Sequence, residues 1–181
     1  MVLALAEISE YLTLNGLPWL LLAWASIYIS RPFATIIHEL GHAIFAVIFT
    51  SETVQIKVGV GQDSLNFSIK SLKLELSFKK MIFGYTAFKD ENLAKFQLAL
   101  IYATGPIFSF LACTVGLWLI YTTTLHVAFD ALLIGWVCSN LLCLFRNLLP
   151  LQLQGPDSNS VPSDGLQIVR IIMGKLPRDL D

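Results

Sequence analysis

The sequence has 181 residues, of which 55% are hydrophobic and 14% are charged, and its mean hydropathy is +0.68. Soluble domains have roughly 45–50% apolar and about 25% charged residues, so this composition is typical of a membrane protein. The net charge of −1 and the lack of a basic patch with interleaved aromatic residues give no reason to expect nucleic acid as a partner.

Two apolar segments open the chain, the first from Leu12 to Ser30 and the second from Pro32 to Thr50. The N-terminus lacks the basic region of a secretory signal, so we expect the first segment to be retained. Because proline suits the first turn of a helix, Pro32 is compatible with a tight pair of spans. The alternative is one kinked helix from Pro18 to Thr50, about 50 Å long against an apolar bilayer core of about 30 Å. This length favours the pair.

The second segment contains the motif His38-Glu39-Leu40-Gly41-His42. No residue of the segment outside this motif is charged or bears an imidazole. On a helix, His38 and His42 lie on the same face and can bind one Zn²⁺, with Glu39 beside them. Ionisable groups inside a membrane segment are costly unless they have a function, and this favours a metal site. A hydrolytic zinc usually has three protein ligands, so the motif requires one more His, Asp or Glu elsewhere.

Residues 51–95 are richer in lysine and contain two alternating stretches, Ser64 to Lys70 and Lys73 to Lys79. Alternation of polar and apolar residues predicts strands, and we expect a β-hairpin or small sheet at the membrane interface. An exposed edge of this sheet is a means of holding an extended peptide, although a simple linking hairpin is the alternative.

Two further apolar spans follow, from Phe96 to Thr122 and from His126 to Leu149. His126 and Asp130 lie at the start of the last span, and we interpret them as interfacial residues rather than metal ligands. The cysteines have no metal-binding or redox spacing and are predicted to be small buried hydrophobic residues: Cys113, Cys138 and Cys143.

Lysine and arginine cluster in residues 51–95 and 146–178, and the positive-inside rule places both regions on the cytoplasmic side. The chain returns to this side after Pro150, so Asp157 and Asp164 are the candidates for the third ligand. Asp164 is preferred because it lies between Ser163 and a glycine at a predicted helix start, and Asp157 is the reserve. A helix cap formed by Ser163 or Asp164 is the simpler interpretation of this sequence.

The combined motifs resemble those of the site-2 protease family (M50-type), which are intramembrane zinc metalloproteases. The matching segments are His38-Glu39-Leu40-Gly41-His42, Asn147-Leu148-Leu149-Pro150, Asp164-Gly165 and the Gly105-Pro106 pair in the middle span. The chain departs from the family pattern in placing Asp164 fourteen positions after Pro150. It departs again at Thr104 and Ser109, which replace a small residue and an asparagine near the Gly-Pro pair.

The resemblance implies a predominantly α, polytopic membrane protein with about four transmembrane helices, three of them a metalloprotease core. A small interfacial β-hairpin or sheet joins them, and residues 1–181 form a single membrane metalloprotease domain. Its parts are an N-terminal apolar segment (1–31), the histidine-bearing helix (32–50), interfacial strands (51–95), core helices (96–122 and 126–150) and a C-terminal loop and helix (151–181).

The resemblance also implies that His38, His42 and Asp164 bind Zn²⁺, that Glu39 is the catalytic base and that Asn147 helps to position the substrate. The expected activity is hydrolysis of membrane-embedded or membrane-associated proteins, in a cell inner or plasma membrane with the site toward the cytoplasm. The alternatives are a catalytically inactive relative and a metal-binding scaffold or transport module. The presence of both motif histidines and Glu39 argues against an inactive relative. The later spans lack the polar groups of a transporter, which argues against a transport module.

Overall fold

The computed structural model describes residues 16–124, 126–156 and 158–175. In chain order the elements are α1 (Leu17–Phe49), β1 (Val54–Ile69), β2 (Leu72–Ala87), α2 (Lys95–Thr122), α3 (Val127–Leu148), β3 (Gln152–Gln154), β4 (Ser160–Pro162) and α4 (Asp164–Ile172). The predicted fold class, mainly helical with small sheets, is confirmed.

Three helices, α1, α2 and α3, are long and apolar enough to cross a membrane. Large apolar side chains are exposed on each, among them Trp24 on α1, Trp118 on α2 and Phe129 on α3. Lipid tails solvate such side chains, whereas water does not, so an integral membrane protein is the state in which these surfaces are stable.

The preferred pair of spans in residues 12–50 is wrong for the part that the structure describes. One helix of 33 residues covers Leu17–Phe49 with Pro32 inside it, and no fourth span is found among the described residues. Polar side chains bind backbone carbonyls on the turns next to the proline: Ser139 Oγ donates to the Ile27 carbonyl (2.7 Å) and Thr35 Oγ1 to the Arg31 carbonyl (3.1 Å). Packing against a neighbouring helix, here α3 through Ser139, is the setting in which a membrane helix tolerates an internal proline.

One face of the C-terminal end of α1 packs on protein, while Ile44 and Ile48 remain exposed. A buried apolar core forms there between α1, the start of β1, the start of α2 and the end of α4. Its fully buried members include Ala43, Ala46, Val54, Ile56, Val58, Leu98 and Ile101. Val54, Ile56 and Val58 alternate along the start of β1 and all face this core, as the period of a strand requires.

The pairing register shows that β1 and β2 each contribute two rows to one sheet. Residues 54–58 pair in parallel with 72–76 and antiparallel with 84–87, while 64–69 pair antiparallel with 72–77. The row order is therefore 64–69, 72–77, 54–58, 84–87. Gly59 lies where β1 turns away, with φ of 82°, a conformation that glycine adopts without strain. Residues 84–87 form an edge of this sheet, and we call them the edge row.

Candidate metal centre and cleft

Two buried imidazoles meet on one face of α1. The Nε2 atoms of His38 and His42 are 3.2 Å apart, and both residues are almost fully buried. His42 Nδ1 donates to the Ile101 carbonyl at 2.7 Å, which leaves its Nε2 with a free lone pair. His38 Nδ1 lies 3.1 Å from Ser109 Oγ. Both rings are thus oriented from α2 with their Nε2 atoms toward a common point.

Asp164 reaches this point from the first turn of α4. Its Oδ2 lies 2.9 Å from His38 Nε2 and 3.3 Å from His42 Nε2. Ser163 caps α4 by accepting a hydrogen bond from the Leu166 amide at 3.2 Å, so the Asp164 carboxylate is not used as the cap. The reserve candidate, Asp157, lies outside the described residues.

The glycine after Asp164 permits this approach. A Cβ at Gly165 would overlap the Leu148 carbonyl at the end of α3, so any larger residue would move the aspartate away. Burial acts to raise the pKa of Asp164, but the adjacent His42 and His38 outweigh it and lower the pKa below its usual range. The carboxylate is therefore held in its ionised form, which is the form that binds a metal.

The three donor atoms fit a zinc ion. Their separations of 2.9, 3.2 and 3.3 Å are near the about 3.3 Å that separates nitrogen and oxygen ligands around a tetrahedral zinc. Two imidazoles and one carboxylate are a donor set found in catalytic zinc sites. Gly105 of α2 closes the opposite side, where a Cβ would overlap the His42 ring. The predicted Gly-Pro pair thus provides the space that the two imidazoles occupy.

Glu39 lies against the edge row and not among the three donors. It is 6% exposed, and its Oε2 accepts a hydrogen bond from Thr86 Oγ1 at 2.8 Å. A Cβ at Gly84 would come within 2.9 Å of Glu39 Cγ, so the backbone of β2 passes directly over this side chain. One oxygen of the carboxylate is thereby held by Thr86.

A cleft of about 650 Å³ joins these parts. Its lining includes His38, Glu39, His42, Asp164, Asn147, the residues Ile82 to Thr86 of β2, and the β3–β4 hairpin. Asn147 donates to the Cys143 carbonyl at 3.0 Å. Asn147 thus lines the cleft with its side-chain amide bound to its own helix.

Several residues of the site were not predicted from the sequence. The contacts of Thr86 and Gly84 with Glu39 could not be assigned, because the strand register decides which side of β2 faces α1. Ser109 departs from the family pattern and is not predicted as a site residue, yet it contacts His38. Cys143 is buried as predicted, but it lies in the cleft wall beside His38. The sequence did contain a signal for Cys143, because residues four apart on a helix share a face and Cys143 is four residues before Asn147.

Residues 32–137 match the model of a protein family described as Peptidase family M50. The match covers more than half of the chain and includes His38, Glu39 and His42, but it ends before Asn147 and Asp164. A comparison with curated proteins found no match. The assignment of the third donor therefore depends on the structure.

Proposed function

Because the chain belongs to peptidase family M50, we propose that it is a zinc-dependent endopeptidase that hydrolyses membrane-embedded or membrane-associated proteins. The observation that carries this proposal is the position of Glu39, which shares one cleft with the cluster of His38, His42 and Asp164. Glu39 and both histidines belong to a helix long and apolar enough to span the membrane. The chemistry would thus take place within the bilayer or at its edge.

His38, His42 and Asp164 would hold the zinc ion, which supplies a Lewis acid that polarises a carbonyl and makes water more acidic. The contacts from α2 keep both imidazoles in place for this purpose, since Ile101 accepts from His42 and Ser109 contacts His38. Such outer partners select the tautomer and orient the ring.

Glu39 acts as the general base and then as the general acid. It removes a proton from the attacking water, whose oxygen bonds to the carbonyl carbon of the substrate, and it delivers that proton to the leaving nitrogen as the C–N bond breaks. Thr86 occupies Oε2 and leaves Oε1 to carry the proton. The reaction consumes one water and yields a new carboxylate and a new amine.

The substrate would lie extended along the edge row. A membrane helix hides its peptide bonds in its own hydrogen bonds and must unwind before cleavage. Residues 84–87 pair with other strands only through 55–58, and pairing of their free side with the substrate is an effective way to hold it. Asn147, which also lines the cleft, would bind the substrate backbone. The distribution of lysine and arginine supports a cytoplasmic orientation of the site in a cell inner or plasma membrane.

The direct test is to purify the protein in micelles, measure its zinc content and incubate it with a panel of transmembrane-segment peptides. About one zinc per chain together with cleavage within an apolar segment is the expected result. A protein that binds zinc but cleaves no member of the panel would instead favour the inactive relative or scaffold.

Thr86→Val should lower kcat about tenfold, because it removes a hydrogen bond to a charged carboxylate without changing the side-chain volume much. Zinc content should stay near the wild-type value, since Thr86 contacts none of the three donors. KM should also change little, because pairing of the substrate with the edge row uses the backbone, which the substitution leaves unchanged. Thr86→Ser retains the hydroxyl and should recover most of the rate. A Ser variant as slow as the Val variant would show that the hydroxyl is not what matters.

Ser109→Ala should weaken zinc affinity about 10–100-fold, the range found for outer partners of metal-binding histidines. The affinity is measured by competition with a chelating dye. Ser139→Ala is the matched control, because Ser139 is equally buried but donates to the Ile27 carbonyl away from the site. Equal zinc affinities in the two variants would contradict a role of Ser109 in orienting His38.

A further inference from the structure

Two arginines line the cleft from different helices, Arg31 on α1 and Arg146 on α3. Arg31 precedes His38 by seven residues on the same helix face, about 10 Å along the axis. Arg146 follows Cys143, which lies beside His38, by three residues. The two side chains lie close enough to repel each other, and both are partly buried.

Neither arginine has an acidic partner within the part of the chain that the structure describes. The ion pairs found there involve His38, His42, Lys57 and Lys89. Lys57, the other cation of the cleft, is bound to Glu75 at 3.0 Å. The two carboxylates of the cleft are also engaged, since Asp164 faces the histidines and Glu39 accepts from Thr86.

One of the two guanidinium groups is held in position. The Arg146 guanidinium lies over the Phe83 ring, 5.4 Å from its centroid. Stacking of this kind orients the planar group without neutralising its charge. Phe83 directly precedes the edge row, so the charge of Arg146 is placed where a bound strand would lie.

Two adjacent, partly buried cations without a counter-ion destabilise a protein unless another anion joins them. A carboxylate matches the donor fork of a guanidinium in two parallel hydrogen bonds. We propose that Arg31 and Arg146 bind an Asp or Glu side chain of the substrate, close to the scissile bond. This assignment rests on the proposed peptidase function, for which it defines a substrate preference.

The offset of Arg31 from His38 along α1 sets where the acidic residue of the substrate should be. An extended peptide advances about 3.3 Å per residue, so about 10 Å corresponds to about three residues from the scissile bond. A substrate carboxylate fits better than a lipid phosphate, because the arginines line the same cleft as Glu39 and the three donors, where the proposed substrate lies.

The test measures binding to zinc-loaded Glu39→Gln protein in an uncharged detergent, so that no cleavage occurs. The probes are fluorescent, otherwise uncharged peptides in which one Glu, or one Gln as its isostere, moves along the sequence. Glu at one or two neighbouring positions should bind about tenfold or more tightly than Gln. Arg31→Gln and Arg146→Gln should each reduce this ratio toward one.

Arg170→Gln is the matched control, because Arg170 does not line the cleft. Arg146→Lys retains the charge but lacks the fork, and it should keep only part of the preference. Arg146→Lys also replaces the Gln variant in this test if the Gln variant fails to fold. Loss of zinc and of monodisperse elution would reveal such a failure. No dependence on Glu position, or a preference that survives both Gln substitutions, overturns the proposal.

A lipid ligand is tested in the same preparations by adding phosphatidylglycerol or phosphatidylcholine. Retention of phosphatidylglycerol that requires both arginines, with equal binding of Glu and Gln peptides, overturns the proposal in favour of a lipid phosphate. The peptidase function and the arginine assignment can be refuted independently. Protein that prefers Glu peptides but never cleaves with Glu39 intact contradicts the peptidase alone, while cleavage without any Glu preference contradicts the arginine assignment alone.

Discussion

Glu39→Gln is expected to abolish peptide cleavage while leaving zinc bound. A positioned general base contributes about 10²–10⁴ in rate, and here the same group also returns the proton to the leaving amine. Glutamine has the same shape, and its amide oxygen can still accept from Thr86, so the packing of β2 on α1 is preserved. Cleavage of a transmembrane-segment peptide and zinc content are measured on the same preparation.

The matched control is Glu52→Gln, which removes a glutamate paired with Lys89 on the surface, remote from the cleft. This control should cleave at the wild-type rate, because an exposed ion pair contributes little to stability. A Glu39→Gln protein that remains active would refute the assigned role of Glu39 and with it the proposed mechanism.

Asp164→Ala is expected to lose zinc and therefore all cleavage. The substitution removes one of three donor atoms and the only negative charge among them, so the loss should exceed the about 10–100-fold that outer partners account for. Asp164→Asn retains an oxygen but not the charge, so its zinc content should lie between those of the wild type and Asp164→Ala. Metal analysis after dialysis against a weak chelator measures the difference.

Asp157→Ala is the comparison that the sequence calls for, because Asp157 was the reserve candidate for the same role. It should retain zinc and activity. Retention of zinc by both alanine variants would show that neither aspartate is the third ligand. Ser163 still caps α4 in all of these proteins, so the helix that carries Asp164 should persist.

Local rules were sufficient for a large part of this protein. Spans follow from runs of apolar residues, and the shared face of His38 and His42 follows from the period of a helix. Both depend only on near neighbours in the chain, and both are confirmed by the structure. The alternating stretches likewise predicted strands, and strands are present at those residues.

The same rules failed at Pro32 and at the sheet. Whether a proline starts a helix or lies within one depends on the packing of other helices around it, and Ser139, which contacts α1 at Ile27, is 112 residues away in the sequence. The row order of the sheet, and hence the contact of Thr86 with Glu39, depends on pairing between distant segments. Neither relation leaves a periodic signal in the sequence.

The sequence by itself predicted two metal donors, a base beside them and the need for a third donor. Only the tertiary structure decided that Asp164 is next to both histidines, 126 residues after His38. That contact requires α3 to return beside α1, Ser163 to take the role of cap and Gly165 to admit the Leu148 carbonyl. The physical reason is that a helix places residues by local geometry, whereas a metal site is assembled by packing among elements that are distant in sequence.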